Sequence, residues 1–163
     1  MGKSSLFSTR IDLSIEVREK VISLLNQHLA DAIDLYSQTK QAHWNVKGPQ
    51  FFQLHELFDK LAEEAEDQVD MLAERATSLG GVARGTARLA AATSRLPEYP
   101  ADATTCRQHL EALAARYAAL GTTCRAAIDA SGELGDAGTA DLFTEVSRAL
   151  DKALWFLESH IQE

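Results

Sequence analysis

The sequence predicts an all-α protein: a four-helix bundle with a short extra helix in the long crossover between the second and third long helices. Three observations lead there. Apolar residues recur at three- and four-residue spacing through four long segments, which is the periodicity of a buried helical face. Only three prolines occur in 163 residues, too few to break those segments. Two short breaks flank a connection of about twenty residues, too long for a simple loop in a compact bundle.

Residues 1–13 are a short polar lead, of the kind expected to be partly disordered, ahead of a bundle domain over 14–163. Ser14 is a candidate N-cap, and Glu16 in the first turn suits the helix dipole. Val21, Leu25, Leu29, Ala32 and Tyr36 then mark one face of a helix to about Val46, with His28 beside it as a structural or surface residue. Gly48-Pro49 makes the first break, because glycine ends one helix and proline fits the first turn of the next. The second helix runs from about Gln50 to Leu79. Leu54, Phe58, Leu61, Ala65, Leu72, Ala76 and Leu79 recur along it, and Gly80-Gly81 closes it.

The crossover holds a short helix over Thr86–Thr93 and is closed by Pro97 and Pro100. Fully extended it reaches about 70 Å, enough to travel the length of the bundle and join parallel helices. Asp102 is the candidate cap of the third long helix, which carries Leu110, Leu113, Tyr117, Leu120, Cys124 and Ile128 and ends at Gly132 and Gly135. The last helix starts near Thr139 and shows Leu142, Phe143, Val146, Leu150, Leu154, Leu157 and Ile161, with Trp155 read as core. Two short connections around one long crossover are the connectivity of a ferritin-like bundle.

Composition narrows the function classes. At 45% hydrophobic and 25% charged the chain is an ordinary globular domain, and no apolar run approaches the roughly 20 residues of a membrane span. The beginning of the chain shows no apolar signal core, so a cytoplasmic location, with nucleoid association under a DNA-coating role, is the expectation. A net charge of −8 opposes nucleic acid and anionic membrane and suits the attraction of cations. Cys106 and Cys124 fall on one helix roughly 27 Å apart, too far to bridge, and free thiols fit a reducing compartment.

The chemistry concentrates in the second helix. His55 and Asp59 are one turn apart, as are Asp70 and Glu74, and all four lie on one stripe beside the apolar seam. Asp59 and Asp70 are nevertheless separated by about 16 Å of helix rise, so one helix cannot bring both pairs to one metal. Two can. The midpoint of 55 and 74 coincides with that of 59 and 70, between Glu64 and Ala65. A two-fold axis there sets one chain's His55 and Asp59 against its partner's Glu74 and Asp70, twice per dimer. Spacing alone leaves this split metal site and a solvated acidic face both open. No Glu-x-x-His occurs, so a di-iron centre inside the bundle is not indicated.

Lys40-Gln41-Ala42-His43-Trp44-Asn45-Val46-Lys47-Gly48, Leu54-His55-Glu56, Asp59, Asp70-Met71-Leu72-Ala73-Glu74-Arg75-Ala76 and Leu79-Gly80-Gly81 resemble the Dps family of mini-ferritins, as does the end from Ser147-Arg148 to Asp151-Lys152-Ala153-Leu154-Trp155-Phe156-Leu157-Glu158. The resemblance spans nearly the whole chain. It implies a hollow homo-dodecamer that oxidises Fe(II), preferably with hydrogen peroxide rather than oxygen, at sites across the two-fold interface. Ferric mineral is stored inside, which protects against oxidative damage. Carried over by position, the metal ligands and catalytic residues are His43, His55 and Asp59 of one subunit with Asp70 and Glu74 of the other. The resemblance further implies that Trp44 beside them takes up stray oxidising equivalents, with core packing beside the interface equally open. Zn(II) or Mn(II) fits the same donors. The resemblance also implies acidic inlets for iron near the start of the last helix, here Glu133, Asp136 and Asp141, with Gly138 where some relatives have another acid.

Members that bind DNA tightly commonly have a lysine-rich tail. This lead holds only Lys3 and Arg10, so tight DNA binding is not expected. The alternative is a DNA-coating structural protein of the nucleoid in which iron is secondary.

Overall fold

The computed structural model describes residues 6–162. The order is α1 (Ile15–Asn45), α2 (Phe51–Ser78), α3 (Ala87–Thr93), α4 (Cys106–Glu133) and α5 (Ala137–Glu158), with no strand among the described residues. Helix α1 starts on Ser14, whose hydroxyl accepts from the Val17 amide, and α3 starts on Thr86 in the same way.

Four apolar seams meet in one core, containing Val21, Leu25, Leu29, Leu35, Leu54, Phe58, Leu61, Leu72, Leu113, Leu120, Phe143, Val146, Leu150 and Leu157. Helix α1 packs on α2 and α4, and α5 packs on α4 and α2, while α3 lies outside against α1. The Lys47 amide donates to Thr104 O at 3.1 Å, so α4 begins at the end of the bundle where α1 stops and α2 starts. Helices α2 and α4 therefore run parallel, as the length of the crossover requires.

The crossover is pinned by buried polar groups of α1. Asp31 accepts from the Arg95 side chain and, at 2.8 Å, from the Arg95 amide, while Gln38 donates to Pro97 O at 3.0 Å. His28 is buried beneath it and donates from Nδ1 to Leu24 O at 2.9 Å, which makes it structural.

Two expectations change. Helix α4 is capped by Thr105 rather than Asp102. Thr105 and Gln108 form a reciprocal capping box, whereas Asp102 sits in the preceding turn. Trp155 is 62% exposed rather than core. The buried seam of α5 passes through Leu150, Ala153 and Leu157, and residue 155 lies two positions from both of its nearest members, about 200° round the helix. The lead is held where it is described. Phe7 N donates to Gly80 O at 2.8 Å, and Arg18 donates to Leu13 O and Leu79 O at 3.3 and 3.0 Å. Lys3 falls outside the described residues.

Candidate metal centre

His43 occupies the last turn of α1 and His55 the first turns of α2. The chain reverses between them through Gly48 at φ 130°, a conformation that excludes most side chains; a Cβ there would also sit 3.2 Å from Cys106 Sγ. The reversal brings the two imidazoles face to face, with centroids 3.8 Å apart and planes 19° from parallel.

Each ring is held by the other residue's backbone. His43 Nδ1 donates to His55 O at 2.7 Å, and His55 Nδ1 donates to His43 O at 2.9 Å. A carbonyl can only accept, so both Nδ1 atoms carry the proton. In the neutral rings both Nε2 atoms then keep a lone pair. A carbonyl on one ring nitrogen and a free lone pair on the other is the usual preparation of a metal-binding histidine.

Asp59, one turn below His55, places Oδ1 3.7 Å from His43 Nε2. Lys40 Nζ donates to the same oxygen at 2.6 Å. This bond, more than the neighbouring imidazoles, holds the Asp59 carboxyl below the usual carboxylate range. A cation binding at Asp59 must therefore compete with the Lys40 ammonium. The sequence reading gave Lys40 no role. Its signal was its position one turn before His43, on the same side of α1. Lys40 Nζ also lies 5.8 Å from the Trp44 ring centroid. Trp44 is 66% exposed, an aromatic beside the imidazoles rather than part of the chain's core.

Asp70 and Glu74 are exposed further down α2 and do not join these groups. Among the described residues, no three His, Cys, Asp or Glu side chains converge to hold a metal ion within one chain. The single chain thus presents two imidazoles and a carboxylate at one end of α2 and two free carboxylates towards the other.

At the α4–α5 corner, Glu133 and Asp141 are exposed and Asp136 is buried. Asp136 caps α5 by accepting from Thr139 N at 2.9 Å, and it also accepts from Thr139 Oγ1 at 2.5 Å and from Arg75 Nη2 at 2.8 Å. Its carboxylate is fully engaged within the chain.

Comparison with known proteins agrees with this architecture. A family model described as a ferritin-like domain matches residues 22–163. A DNA protection during starvation protein of Agrobacterium fabrum is 48% identical over 155 residues, covering 95% of this chain and 96% of that protein. The structure of DpsC from Streptomyces coelicolor superposes with a TM-score of 0.93 at 32% identity, covering 100% of this chain and 95% of that one. An archaeal Dps homologue from Halobacterium salinarum gives 0.92 at 28% identity, over 100% and 91%. Helix order, crossover and similarity along nearly the full length agree, and the chain belongs to the Dps family of ferritin-like proteins.

Proposed function

We propose that the protein is an iron-storing and detoxifying mini-ferritin. It oxidises Fe(II), preferably with hydrogen peroxide, at sites shared between two subunits and keeps the ferric product inside a cytoplasmic homo-dodecamer. The observation that carries this reading is the stacked pair His43 and His55, with both Nε2 lone pairs free beside Asp59. Imidazole and carboxylate suit iron, and also Zn(II) or Mn(II). Asp70 and Glu74 complete the set by the two-fold relation about residues 64 and 65, which supplies from a partner what one helix cannot bend to supply itself. In this reading Fe(II) displaces the Lys40 ammonium from Asp59, gives up an electron and moves on as Fe(III). Hydrogen peroxide takes one electron from each of two Fe(II) ions and, with two protons, leaves as two waters. Glu133 and Asp141 are the groups free to line an iron inlet.

The test uses His55→Ala and Glu74→Ala, each expected to impair Fe(II) oxidation. Co-assembled, the two variants form mixed dimers in which one site lacks both ligands and the other regains both. Hybrid shells verified by mass spectrometry should therefore recover part of the activity. Hybrids no faster than either parent would refute the shared site.

A second reading is DNA coating, favoured by the name of the Agrobacterium relative, a DNA protection during starvation protein. The charge of −8 opposes it. No retardation of plasmid DNA is expected at physiological salt, and a salt-dependent shift there would reverse the order of the two readings.

A further inference from the structure

Asp70 and Glu74, the carboxylates that the candidate centre takes from a partner, lie towards the far end of α2 from the imidazoles. Glu74 follows His55 by 19 residues, about 28 Å along the helix axis. The reversal at Gly48 that stacks His43 on His55 cannot aim carboxylates at that distance. This end of α2 has a fastening of its own.

Arg75, the residue after Glu74, is that fastening. Its Nε donates to Thr139 Oγ1 at 2.9 Å and its Nη2 to Asp136 Oδ1 at 2.8 Å. Among the described residues, no other side chain in the second half of α2 hydrogen-bonds to another helix; those of Thr77 and Ser78 bond within α2. Elsewhere α2 packs closely on α1 and sparsely on α5. The receiving groups are themselves fixed, since Thr139 and Asp136 are both buried. The Thr139 hydroxyl gives its one hydrogen to Asp136 Oδ2, which leaves its lone pairs for Arg75. The Asp136 amide donates to Ser131 O at 3.0 Å, so the corner is joined to the end of α4 as well. Gly138 leaves the guanidinium its room: a Cβ there would stand 3.1 Å from Arg75 Nη2.

Two bonds from one planar guanidinium fix a direction as well as a distance. Burial of Leu72 and Ala76 selects the inward side of α2, but the hydrophobic effect is non-directional. The guanidinium adds the angle about the helix axis and the height against α5. Successive helical residues point about 100° apart, so turning Arg75 towards α5 turns Glu74 about 100° away from it and Asp70 about 140°, to the same side. Both carboxylates are exposed there.

We propose that Arg75 is a positioning residue of the candidate centre: tied to the cap of α5, it holds Asp70 and Glu74 of its own chain at the angle that the imidazoles of a partner require. Asp136 and Thr139 then serve the centre without touching metal. This inference rests on the shared-site reading above.

The test measures initial rates of Fe(II) oxidation in assembled shells. Arg75→Gln, in shells of wild-type mass and helix content, should need at least about tenfold more Fe(II) for half its maximal rate, because displacing a positioned group by about 1 Å costs up to about a hundredfold. Arg75→Lys, which keeps the charge and loses the paired bonds, should fall between. Hybrids verified by mass spectrometry then locate the defect. Arg75→Gln co-assembled with His55→Ala should recover, since one site of each mixed dimer joins an intact His55 to a Glu74 held by Arg75. Arg75→Gln co-assembled with Glu74→Ala should not recover, since every site then either lacks Glu74 or holds it loose. If Arg75→Gln does not assemble, Arg75→Lys replaces it in both hybrids. An unchanged Fe(II) requirement, or recovery in both hybrids as an inlet or general stability defect would give, overturns the proposal. Failure of the His55→Ala hybrid overturns it too, and leaves the shared site standing provided that hybrids of His55→Ala with Glu74→Ala recover. If those also fail, the shared site falls and this inference with it.

Discussion

Replacing Asp136 separates a structural carboxylate from an inlet carboxylate. The side chain is 2% exposed and accepts from the Thr139 amide, the Thr139 hydroxyl and the Arg75 guanidinium. Asp136→Ala removes the cap of α5, which costs about 1 kcal/mol. It also leaves Arg75 without its anion. Loss of one partner of a fully buried pair costs about 3–5 kcal/mol, but Arg75 is 23% exposed and water recovers part of that, so about 2 kcal/mol is a fair share. The sum is about 3 kcal/mol. At roughly 2 kcal/mol per molar of urea, the unfolding midpoint falls by about 1.5 M. Asp136→Asn keeps an N-cap acceptor and loses only the charge, so its midpoint should fall by about half as much. Urea unfolding at fixed protein concentration, followed by circular dichroism, reads both. Glu133→Gln and Asp141→Asn should leave the midpoint nearly unchanged and slow iron uptake instead. If Asp136→Ala unfolds where the wild type does while iron uptake slows, Asp136 faces an inlet and the buried network assigned to it is wrong.

Two further outcomes follow from the same contacts. Thr105→Ala should destabilise by about 1 kcal/mol through loss of the α4 capping box, and Asp102→Ala should change thermal unfolding little; the reverse order would restore Asp102 as the cap. Burial, as the largest effect, holds the His28 imidazole below its ordinary 6.5, with Arg95 opposing its charge and Asp31 favouring it. The unfolded chain therefore binds a proton that the folded chain refuses, and stability should fall as pH drops below about 6.5. His28→Gln should flatten that slope in unfolding midpoints taken between about pH 6.5 and 5. An unchanged slope would remove His28 as its source.

Helix number, the short helix of the crossover and the ferritin-like connectivity could all be read in the chain, because apolar spacing and the Gly-Pro and Gly-Gly breaks act locally. Trp155 misled because composition does not tell which side of a helix is buried; the angle from Leu150, Ala153 and Leu157 does. Asp102 misled because two capping residues stood three apart, and the choice depended on Gln108 closing back on Thr105 and on Lys47 fixing the chain there. At the candidate centre, spacing suggested the pairing of His55 with Asp59 but could not foresee the imidazole stack, which arises only when α1 and α2 fold back on each other. The hold of Lys40 on Asp59 and of Arg75 on Asp136 joins residues 19 and 61 positions apart and needed the folded chain.

The stacked imidazoles are joined by bonds spanning only 12 residues, across a single reversal. Closing so short a loop costs little entropy. His43, His55, Asp59, Asp70 and Glu74 all lie between Ile15 and Ser78, in one helical hairpin. The candidate donors are thus all written in the first half of the chain. Substitutions in the second half leave all five candidate donors in place.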